Sequence, residues 1–438
     1  MPSSIRNSLL LALGASRLGV FAHDPQVVLA PPAVGAPVAG DDLSSSAVDE
    51  DFSEGLLSSL PSAEDVLKAV AAHDDPVAAL VAVRPDLAAE LAEPRLLHVF
   101  GEAAPEWMTE GDKARLHRHG KKFMDVTDHW EFYAEQQERH QDVSAQSGKA
   151  NLPGLVHQRL VKPLFNHIST QRMRGVLKHM TSYYTRYFGS TTGEKSAQWL
   201  HDHIAEPSII ARFEPKVRNA SLPLTILGAH QDSMNYLFPL LPAPGADDDC
   251  SGTVSILEAF HILAEHGYTP KNGPVEFHWY AAEEGGLLGS QPIARYKKEQ
   301  GARIGAMMEF DMTAFIARNA TESIGLIKTK ADEALTNWTQ DLAKEYISIP
   351  VEVYDLGAGA GSDYMSFTKL DYPAAFASEG NPMKGGFPGE FDPYVHGIHD
   401  TMDVDDENGV FSLEHMARFS ELAIAFVIEQ AGWDNAWR

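Results

Sequence analysis

Short apolar runs alternate with helical patterns along the chain from about residue 154 onward. Runs rich in Val, Ile and Phe predict strands that are buried on both faces of a sheet. These predicted strands are 208–213, 222–229, 274–282, 304–309, 323–328, 351–355 and 372–377. Apolar residues at three- and four-residue steps predict helices at 169–188, 195–204, 251–266, 331–346 and 412–430. This alternation predicts an α/β fold, in which a mostly parallel mixed sheet carries helices on both faces.

The chain before residue 154 has little of this pattern. Residues 1–22 combine an arginine with an apolar run and small residues, which is typical of a secretory signal peptide. Residues 24–59 are rich in Pro, Ala, Gly and Ser and predict a flexible linker. Two capped helical patterns within residues 62–120 predict a small helical unit. The polar stretch 135–149 predicts a boundary before the main domain.

The composition excludes several classes of partner. Lys and Arg number 35 against 61 Asp and Glu, so the net charge is −26 and the surface would repel a nucleic acid backbone. No run of about 18 apolar residues marks a membrane-spanning helix. The single cysteine, Cys250, excludes an internal disulfide bond. We expect a monomer that binds neither nucleic acid nor a membrane.

Side chains that bind metals follow three of the predicted strands. His230 comes directly after the first of these strands, Glu283 and Glu284 after the second, and Asp311 soon after the third. Because ligand sites in an open α/β sheet lie beyond the carboxyl ends of the strands, we expect these side chains to meet. Imidazole nitrogen and carboxylate oxygen suit a divalent cation that keeps one position open for water. The pattern therefore predicts a hydrolytic metal site.

Further candidate ligands lie in loops. The acidic triplet Asp247–Asp249 stands between the first two of these strands, and the late loop YVHGIHDTMD offers His396 and His399. Asp232 is placed to accept the hydrogen on the second ring nitrogen of His230 and so fix its tautomer. Four earlier histidines have no carboxylate at a ligand spacing, and we expect them to be solvated: His117, His119, His129 and His140.

Five segments resemble the metal-binding motifs of the secreted leucyl aminopeptidases, which are two-zinc exopeptidases of metallopeptidase family 28. The segments are GAHQDS, PGADDDCSG, AAEEGGLLGS, EFDMT and GIHDTMD, in the order that the family has them. The resemblance implies a zinc exopeptidase-like fold, a protease that removes amino-terminal residues from peptides, and two Zn²⁺ ions per chain. It implies five zinc ligands, which are His230, Asp248, Glu284, Asp311 and His399.

The resemblance also assigns a role to each of these residues. Asp248 would bridge the ions, so that one ion is held by Asp248, Glu284 and His399 and the other by His230, Asp248 and Asp311. His399, rather than His396, is taken as the match to the family position. Glu283 would be the general base, which takes a proton from the attacking water and passes it to the leaving amine.

The stretch 95–128 is similar to the end of the propeptide of the fungal enzymes. This similarity implies a secreted zymogen whose own propeptide acts as an intramolecular inhibitor, with activation by cleavage within residues 136–153. We expect a signal peptide at 1–22, a propeptide at 23–153 and a catalytic domain at 154–438. Three glycosylation sequons, at Asn219, Asn319 and Asn337, agree with secretion.

The chain departs from the family at a loop that contributes to catalysis. Gly359 stands where the family has the tyrosine that assists the tetrahedral intermediate, so Tyr354 or Tyr364 would have to replace it. A first substrate pocket that suits leucine-like side chains is formed, by the same resemblance, by Met312, Phe376 and Ile398. Two other functions remain open: an inactive binding relative on the same fold, and a carboxypeptidase or deacylase on the same scaffold.

Overall fold

A computed structural model describes residues 27–29, 61–135, 149–204, 209–217, 219 and 221–434. The predicted signal peptide, most of the predicted linker and most of the predicted cleavage segment lie outside the described residues. None of the helices in the described part of the chain has the length and apolar character that crossing a membrane requires.

The centre of the molecule is an eight-stranded mixed sheet. Its strands, in chain order, are β1 (Val27–Leu29), β5 (Ile210–Phe213), β6 (Leu224–His230), β7 (Val275–Tyr280), β8 (Ile304–Phe310), β10 (Ile324–Ile327), β11 (Val351–Tyr354) and β12 (Ala374–Ser378). Their order across the sheet is β1-β5-β7-β6-β8-β12-β10-β11. A separate two-stranded antiparallel sheet pairs β9 (Phe315–Ala317) with β13 (Gly409–Phe411). The pairs β5/β7 and β12/β10 are antiparallel and the others are parallel, so the predicted mostly parallel sheet is confirmed.

Helices cover both faces of this sheet. In chain order they are α5 (Gln158–Leu164), α6 (Thr170–Met180), α7 (Thr191–Ile204), α8 (Cys250–Glu265), α9 (Ser290–Glu299), α10 (Glu333–Tyr346), α11 (Tyr364–Thr368) and α12 (Leu413–Ala431). The larger apolar core lies on the face covered by α6, α8, α10 and α12. The core on the opposite face includes residues of α9 and α11. The predicted α/β fold class is therefore confirmed.

One predicted helix is shorter than its pattern. The stripe at 169–188 predicts a single helix, but α6 ends at Met180, and Thr181 closes it with its backbone N–H and its hydroxyl. Beyond this point the chain turns towards the loop before the acidic triplet, where Ala243 N–H donates to Tyr184 O at 3.0 Å. The chain beyond Met180 therefore pairs with a distant loop and does not continue the helix. The spacing of apolar residues alone does not distinguish these two cases.

The amino-terminal unit, residues 61–135, contains more than the predicted helices. Its helices are α1 (Ala63–Ala72), α2 (Pro76–Val83), α3 (Ala88–Leu91) and α4 (Glu110–Arg118), and a three-stranded antiparallel sheet is formed by β2 (Pro94–Val99), β3 (Glu106–Thr109) and β4 (Phe123–Asp125). The predicted helical unit therefore also contains a sheet that the sequence patterns did not reveal. Its strands are only three to six residues long, which is too short for an alternating pattern to stand out.

The amino-terminal unit packs directly on the main domain. Asp125 N–H donates to Gly286 O at 3.0 Å, and the side-chain amide of Gln291 donates to Asp125 O at 2.8 Å. Leu96, Phe100 and Met124 belong to the same apolar core as residues of the central sheet. The two parts therefore share one hydrophobic interior.

A buried arginine ties the chain around the metal-binding loops. Arg186 is 1% exposed, and its guanidinium donates to the carbonyls of Gln231 at 2.8 Å and Gly245 at 2.9 Å, and also to Pro244 O. Gln231 follows β6 directly, whereas Pro244 and Gly245 precede the acidic triplet. One side chain therefore connects two segments that carry candidate ligands.

We expect Arg186→Met to lower the free energy of unfolding by about 2–4 kcal/mol, because it leaves buried carbonyl oxygens without donors. The free energy is measured by urea denaturation of the full chain. Arg174→Met is the matched control, since Arg174 is exposed on α6, and it should leave the denaturation midpoint unchanged. Equal midpoints for the two variants would show that Arg186 does not hold these loops.

Candidate metal centre

Three neighbouring strands bring the predicted ligands together. β6 lies between β7 and β8 and is parallel to both, so the carboxyl ends of all three lie at one edge of the sheet. His230 is the last residue of β6, Asp311 directly follows β8, and Glu284 lies in the turn after β7. Strand register thus places side chains that are distant in sequence in one cluster, as predicted.

Two groups of three side chains have the geometry of metal sites. One consists of His230, Asp248 and Asp311, and the other of Asp248, Glu284 and His396. Within each group the ligand atoms lie within 4.8 Å of one another. Asp248 belongs to both groups, which is the arrangement expected of a carboxylate that bridges two ions.

The two carboxylate oxygens of Asp248 face opposite ways. Its Oδ1 lies 3.0 Å from His230 Nε2, and its Oδ2 lies 2.8 Å from His396 Nε2. Asp311 Oδ1 completes the first group at 3.8 Å from His230 Nε2, and Glu284 Oε1 completes the second at 3.4 Å from His396 Nε2. Each oxygen of Asp248 can therefore serve a different cation.

The hydrogen bonding of these atoms fits a metal as their partner. His230 Nε2, Asp248 Oδ1, Glu284 Oε1 and His396 Nε2 are buried and make no hydrogen bond of normal geometry with the described residues. Buried polar atoms in proteins are nearly always satisfied, so a group of unsatisfied ones indicates an ion or a ligand. The donor set of imidazole nitrogen and carboxylate oxygen suits zinc.

The supporting acids hold the ligand loop through backbone N–H groups. Asp249 accepts hydrogen bonds from the N–H groups of His230 at 3.1 Å and Met312 at 3.1 Å, and it caps α8 through Gly252 N–H. Asp400 accepts from Asp247 N–H at 2.7 Å and from Asp248 N–H at 3.1 Å. The peptide bond between Asp248 and Asp249 is cis. The acidic triplet is therefore a rigid loop that aims Asp248 into the site.

Asp232 supports the Glu pair more than the imidazole. It accepts the N–H groups of Glu283 at 3.0 Å and Glu284 at 3.2 Å. Its Oδ1 also lies 3.4 Å from His230 Nδ1, but that nitrogen has no hydrogen bond of normal geometry. Asp232 therefore lies beside His230 as predicted, and its clearest contacts fix the turn that carries Glu283 and Glu284.

The structure corrects the choice between the two late histidines. His396 lies against Asp248 and Glu284, whereas His399 is exposed and packs near Tyr394, with 6.1 Å between the ring centroids. The prediction of His399 as a ligand is therefore wrong. The reason is the turn itself: His396 has a left-handed backbone with φ of 59°, which swings its ring inward, and two histidines three apart in a loop carry no periodicity that would show this.

Tyr236 is a site residue that the sequence patterns did not reveal. Its hydroxyl donates to Glu284 Oε2 at 2.9 Å, and its ring stacks on His396 with 3.6 Å between centroids. Tyr354 and Tyr364, the two candidates to replace the family's tyrosine, make hydrogen bonds to other groups: Tyr354 donates to Glu352 and Tyr364 donates to Thr329 O. The sequence feature that could have pointed to Tyr236 is its position in the loop after β6, six residues after the ligand His230.

Glu283 lies next to the ligands and contacts a lysine of the amino-terminal unit. Lys122 Nζ lies 3.2 Å from Glu283 Oε2 and 3.6 Å from Glu284 Oε2. Burial raises the pKa of Glu283 to about 7, against the opposing effect of the Lys122 ammonium. A carboxylate of this kind is suited to general base catalysis near neutral pH. Lys122 could not have been found by spacing, because it is 161 residues from Glu283.

One of the histidines expected to be solvated is buried at this site. His117 is 3% exposed and stacks on Tyr236 with 4.5 Å between ring centroids. The expectation for His117 is therefore wrong, whereas His119 is exposed and His129 is half-buried. His140 lies outside the described residues. The inward face of α4 explains the difference, since His117 lies there and His119 follows the end of the helix.

The structure brings together two of the three residues that are predicted to form the substrate pocket. Met312 and Phe376 belong to the same buried apolar cluster, and Met312 directly follows the ligand Asp311. Ile398 is 47% exposed and does not belong to that cluster. The preference of this pocket for leucine-like side chains stays a prediction.

Comparison with known proteins shows the family. The profile described as peptidase family M28 matches residues 208–424. The chain is 35% identical to leucine aminopeptidase 1 of Coccidioides posadasii (strain C735), over 77% of this chain and 89% of the relative. It is 36% identical to leucine aminopeptidase 1 of Chaetomium globosum, over 75% of this chain and 84% of the relative. The chain belongs to peptidase family M28.

A solved structure supports the same assignment. The Legionella pneumophila LapA aminopeptidase superposes with a TM-score of 0.62 and 28% identity, over 80% of this chain and 97% of LapA. This M28 protein is a metallo-aminopeptidase, and the predicted family and enzyme class are confirmed.

The two late histidines give a direct test of the ligand assignment. We expect His396→Ala to lose bound metal, because it removes one of three side chains in its group. His399→Ala is the matched control and should keep the metal content of the unaltered enzyme. Metal is measured by mass spectrometry after dialysis against metal-free buffer. Retention of all metal by the His396 variant, with loss from the His399 variant, would restore the original assignment.

Proposed function

We propose that this protein is a secreted zinc aminopeptidase, made as a zymogen, that removes leucine and other hydrophobic residues from the amino termini of peptides. The observation that carries the proposal is the pair of ligand groups that share Asp248 and stand beside Glu283. A site of two ions with one unliganded carboxylate is suited to hydrolysis of a peptide bond.

Five side chains would hold two zinc ions. Their names are His230, Asp248, Asp311, Glu284 and His396. Zinc would supply Lewis acidity, which polarises the scissile carbonyl and lowers the pKa of a water molecule at the site. Asp249, Asp400 and Asp232 keep the ligands in place through backbone N–H groups, so little reorganisation is needed when the ions bind.

Glu283 performs the proton transfers in this proposal. Its neighbour Glu284 points to the metal group, while Glu283 stands at the same edge without belonging to either ligand group. The turn is fixed by Asp232, which accepts both backbone N–H groups of the pair. Glu283 is thus held where it takes a proton from the attacking water and delivers it to the departing amine.

The hydrophobic preference rests on the names of relatives and on the pocket. Both fungal relatives are named leucine aminopeptidase 1. Met312 directly follows the ligand Asp311 in the chain and is buried. It belongs with Phe376 to one buried apolar cluster, which supports a pocket for a leucine-like side chain.

Secretion is supported by the amino-terminal sequence and by the surface. Residues 1–22 have the pattern of a signal peptide. The sequon residues Asn219, Asn319 and Asn337 are all exposed in the structure, so each side chain is accessible to glycosylation. We therefore propose an extracellular glycoprotein.

The zymogen proposal rests on where the amino-terminal unit lies. Lys122 contacts Glu283 and Glu284, and His117 stacks on Tyr236, so this unit covers the candidate catalytic groups. A peptide substrate would have to displace Lys122 from Glu283 while the unit is in place. We propose that the predicted propeptide, residues 23–153, is an intramolecular inhibitor that cleavage within residues 136–153 removes.

Two alternatives carry less support. An inactive binding relative would have no need of a buried, unliganded Glu283 beside two complete ligand groups. A carboxypeptidase would need a cation for the substrate carboxylate, and Lys122, the lysine that contacts Glu283 and Glu284, belongs to the unit that cleavage would remove. Neither alternative is favoured by a specific contact.

The test is hydrolysis of leucine p-nitroanilide by protein cleaved within residues 136–153. We expect activity that a zinc chelator abolishes and added zinc restores, with about two zinc ions bound per chain. Failure to cleave any amino-terminal anilide at full zinc content would contradict the proposal.

A second test concerns the general base. Glu283→Gln should lower kcat about 10²–10⁴-fold without reducing zinc content, because it removes proton transfer but no ligand. Glu407→Gln, at an exposed position, is the control and should be fully active. A Glu283 variant with unaltered kcat would show that another group takes the proton.

A further inference from the structure

We infer that Lys122 keeps the uncleaved protein inactive by presenting its ammonium group to Glu283 in place of the amino-terminal ammonium of a substrate. This inference rests on the proposed aminopeptidase function and adds the residue and the chemistry by which the amino-terminal unit would inhibit. An aminopeptidase must accept a primary ammonium close to the scissile bond. A lysine side chain ends in the same chemical group.

The contact engages both oxygens of the general base. Lys122 Nζ lies 3.2 Å from Glu283 Oε2 and 3.4 Å from Glu283 Oε1, and 3.6 Å from Glu284 Oε2. The Glu283 side chain is 0% exposed, and the Lys122 side chain is 20% exposed. An ammonium group or a water molecule that approached these oxygens from the same side would have to displace Lys122 Nζ.

The backbone around Lys122 is anchored on both sides. Its carbonyl accepts Phe100 N–H at 2.9 Å within the amino-terminal unit. Three residues later, Asp125 N–H donates to Gly286 O at 3.0 Å on the main domain. Gly286 has a φ of +103°, and a Cβ there would lie 2.7 Å from Asp125 N, so glycine is needed for this close approach. The ammonium therefore extends from a backbone segment that hydrogen bonds fix on both sides of Lys122.

A second contact of the same unit covers the other side of the site. His117 stacks on Tyr236 at 4.5 Å, and Tyr236 stacks on His396 at 3.6 Å. Tyr236 also donates to Glu284. The amino-terminal unit thus contacts the base directly through Lys122 and the ligand group indirectly through His117. Of these two contacts, the one made by Lys122 places a positive charge beside the catalytic carboxylate.

The covalent connection makes this inhibition effective before cleavage. While the unit belongs to the same chain, Lys122 competes with substrate as an intramolecular group at a high effective concentration. After cleavage within residues 136–153 the same contact becomes intermolecular and can be lost by dissociation. A peptide ammonium then replaces the lysine.

The experiment uses the full-length, zinc-loaded, uncleaved chain. We expect Lys122→Met and Lys122→Gln to raise hydrolysis of leucine p-nitroanilide at least ~10-fold above the uncleaved parent, because a charge-assisted hydrogen bond to Glu283 is lost. Lys122→Arg keeps the charge and should stay inactive. Lys121→Met is the matched control at the exposed neighbour and should also stay inactive. After cleavage, all variants should equal the parent.

A binding measurement separates substrate mimicry from a purely structural role. We expect leucinol, which carries the amine of leucine, to bind cleaved parent and uncleaved Lys122→Met in a calorimetric titration, and to bind uncleaved parent at least ~10-fold more weakly. The analogue 4-methylpentanol, which lacks the amine, should not distinguish these proteins. Equal leucinol affinity for the uncleaved and cleaved parent would overturn the inference.

The outcomes distinguish this inference from the function on which it rests. If the cleaved parent has no activity, the proposed function fails. If the cleaved parent is active while uncleaved Lys122→Met and Lys122→Gln remain as inactive as the uncleaved parent, Lys122 is not the inhibitory group. Recovery of full activity on cleavage of each variant shows that the substitution did not impair folding.

Discussion

The structure depends on the burial of several carboxylates at the ends of β6, β7 and β8. Asp248, Asp311, Glu283 and Glu284 are each 6% exposed or less. Buried anions are costly unless they are paired or bind cations. Burial raises the pKa of Glu284 well above its ordinary value, and it would do the same for Asp248 if His396 and His230 did not hold that pKa well below the usual range. Metal ions are the partners that would satisfy this cluster in the active enzyme.

The surrounding fold supplies partial positive charge to three acids that are not ligands. Backbone N–H groups that point at Asp249, Asp400 and Asp232 offset the acids that are not ligands. Arg186 plays the complementary role, because its guanidinium donates hydrogen bonds to backbone carbonyls around the same loop. The two arrangements keep the dipoles of one tightly turned chain satisfied. The acidic triplet is therefore held in place by hydrogen bonds. Of its three residues, Asp248 is the one that belongs to the ligand groups.

The parts of this site that follow strand register could be predicted from sequence, whereas the parts on irregular loops could not. His230 and Asp311 are positioned by the ends of apolar runs, and those runs are local features of the chain. The position of His396 depends on a left-handed residue in a loop, which gives no pattern. Tyr236 and Lys122 depend on tertiary contacts, the second across 161 residues. The short strands of the amino-terminal unit were missed for a similar reason, since they are stabilised by pairing with one another.

The metal ions and Lys122 would both supply positive charge to the same cluster of buried carboxylates, and Lys122 would do so only while the chain is uncleaved. A cluster of acids that is built to hold cations also attracts an ammonium group, whether that group belongs to a peptide amino terminus or to the protein itself. The amino-terminal unit places the ammonium group of Lys122 beside Glu283 and Glu284. Glu284 belongs to one of the two ligand groups, and Glu283 is its neighbour in the chain. Because the same charge that would attract a substrate also attracts Lys122, the proposed inhibition would need no separate binding site. Removal of the unit would then expose a site whose charge already favours a positively charged amino terminus.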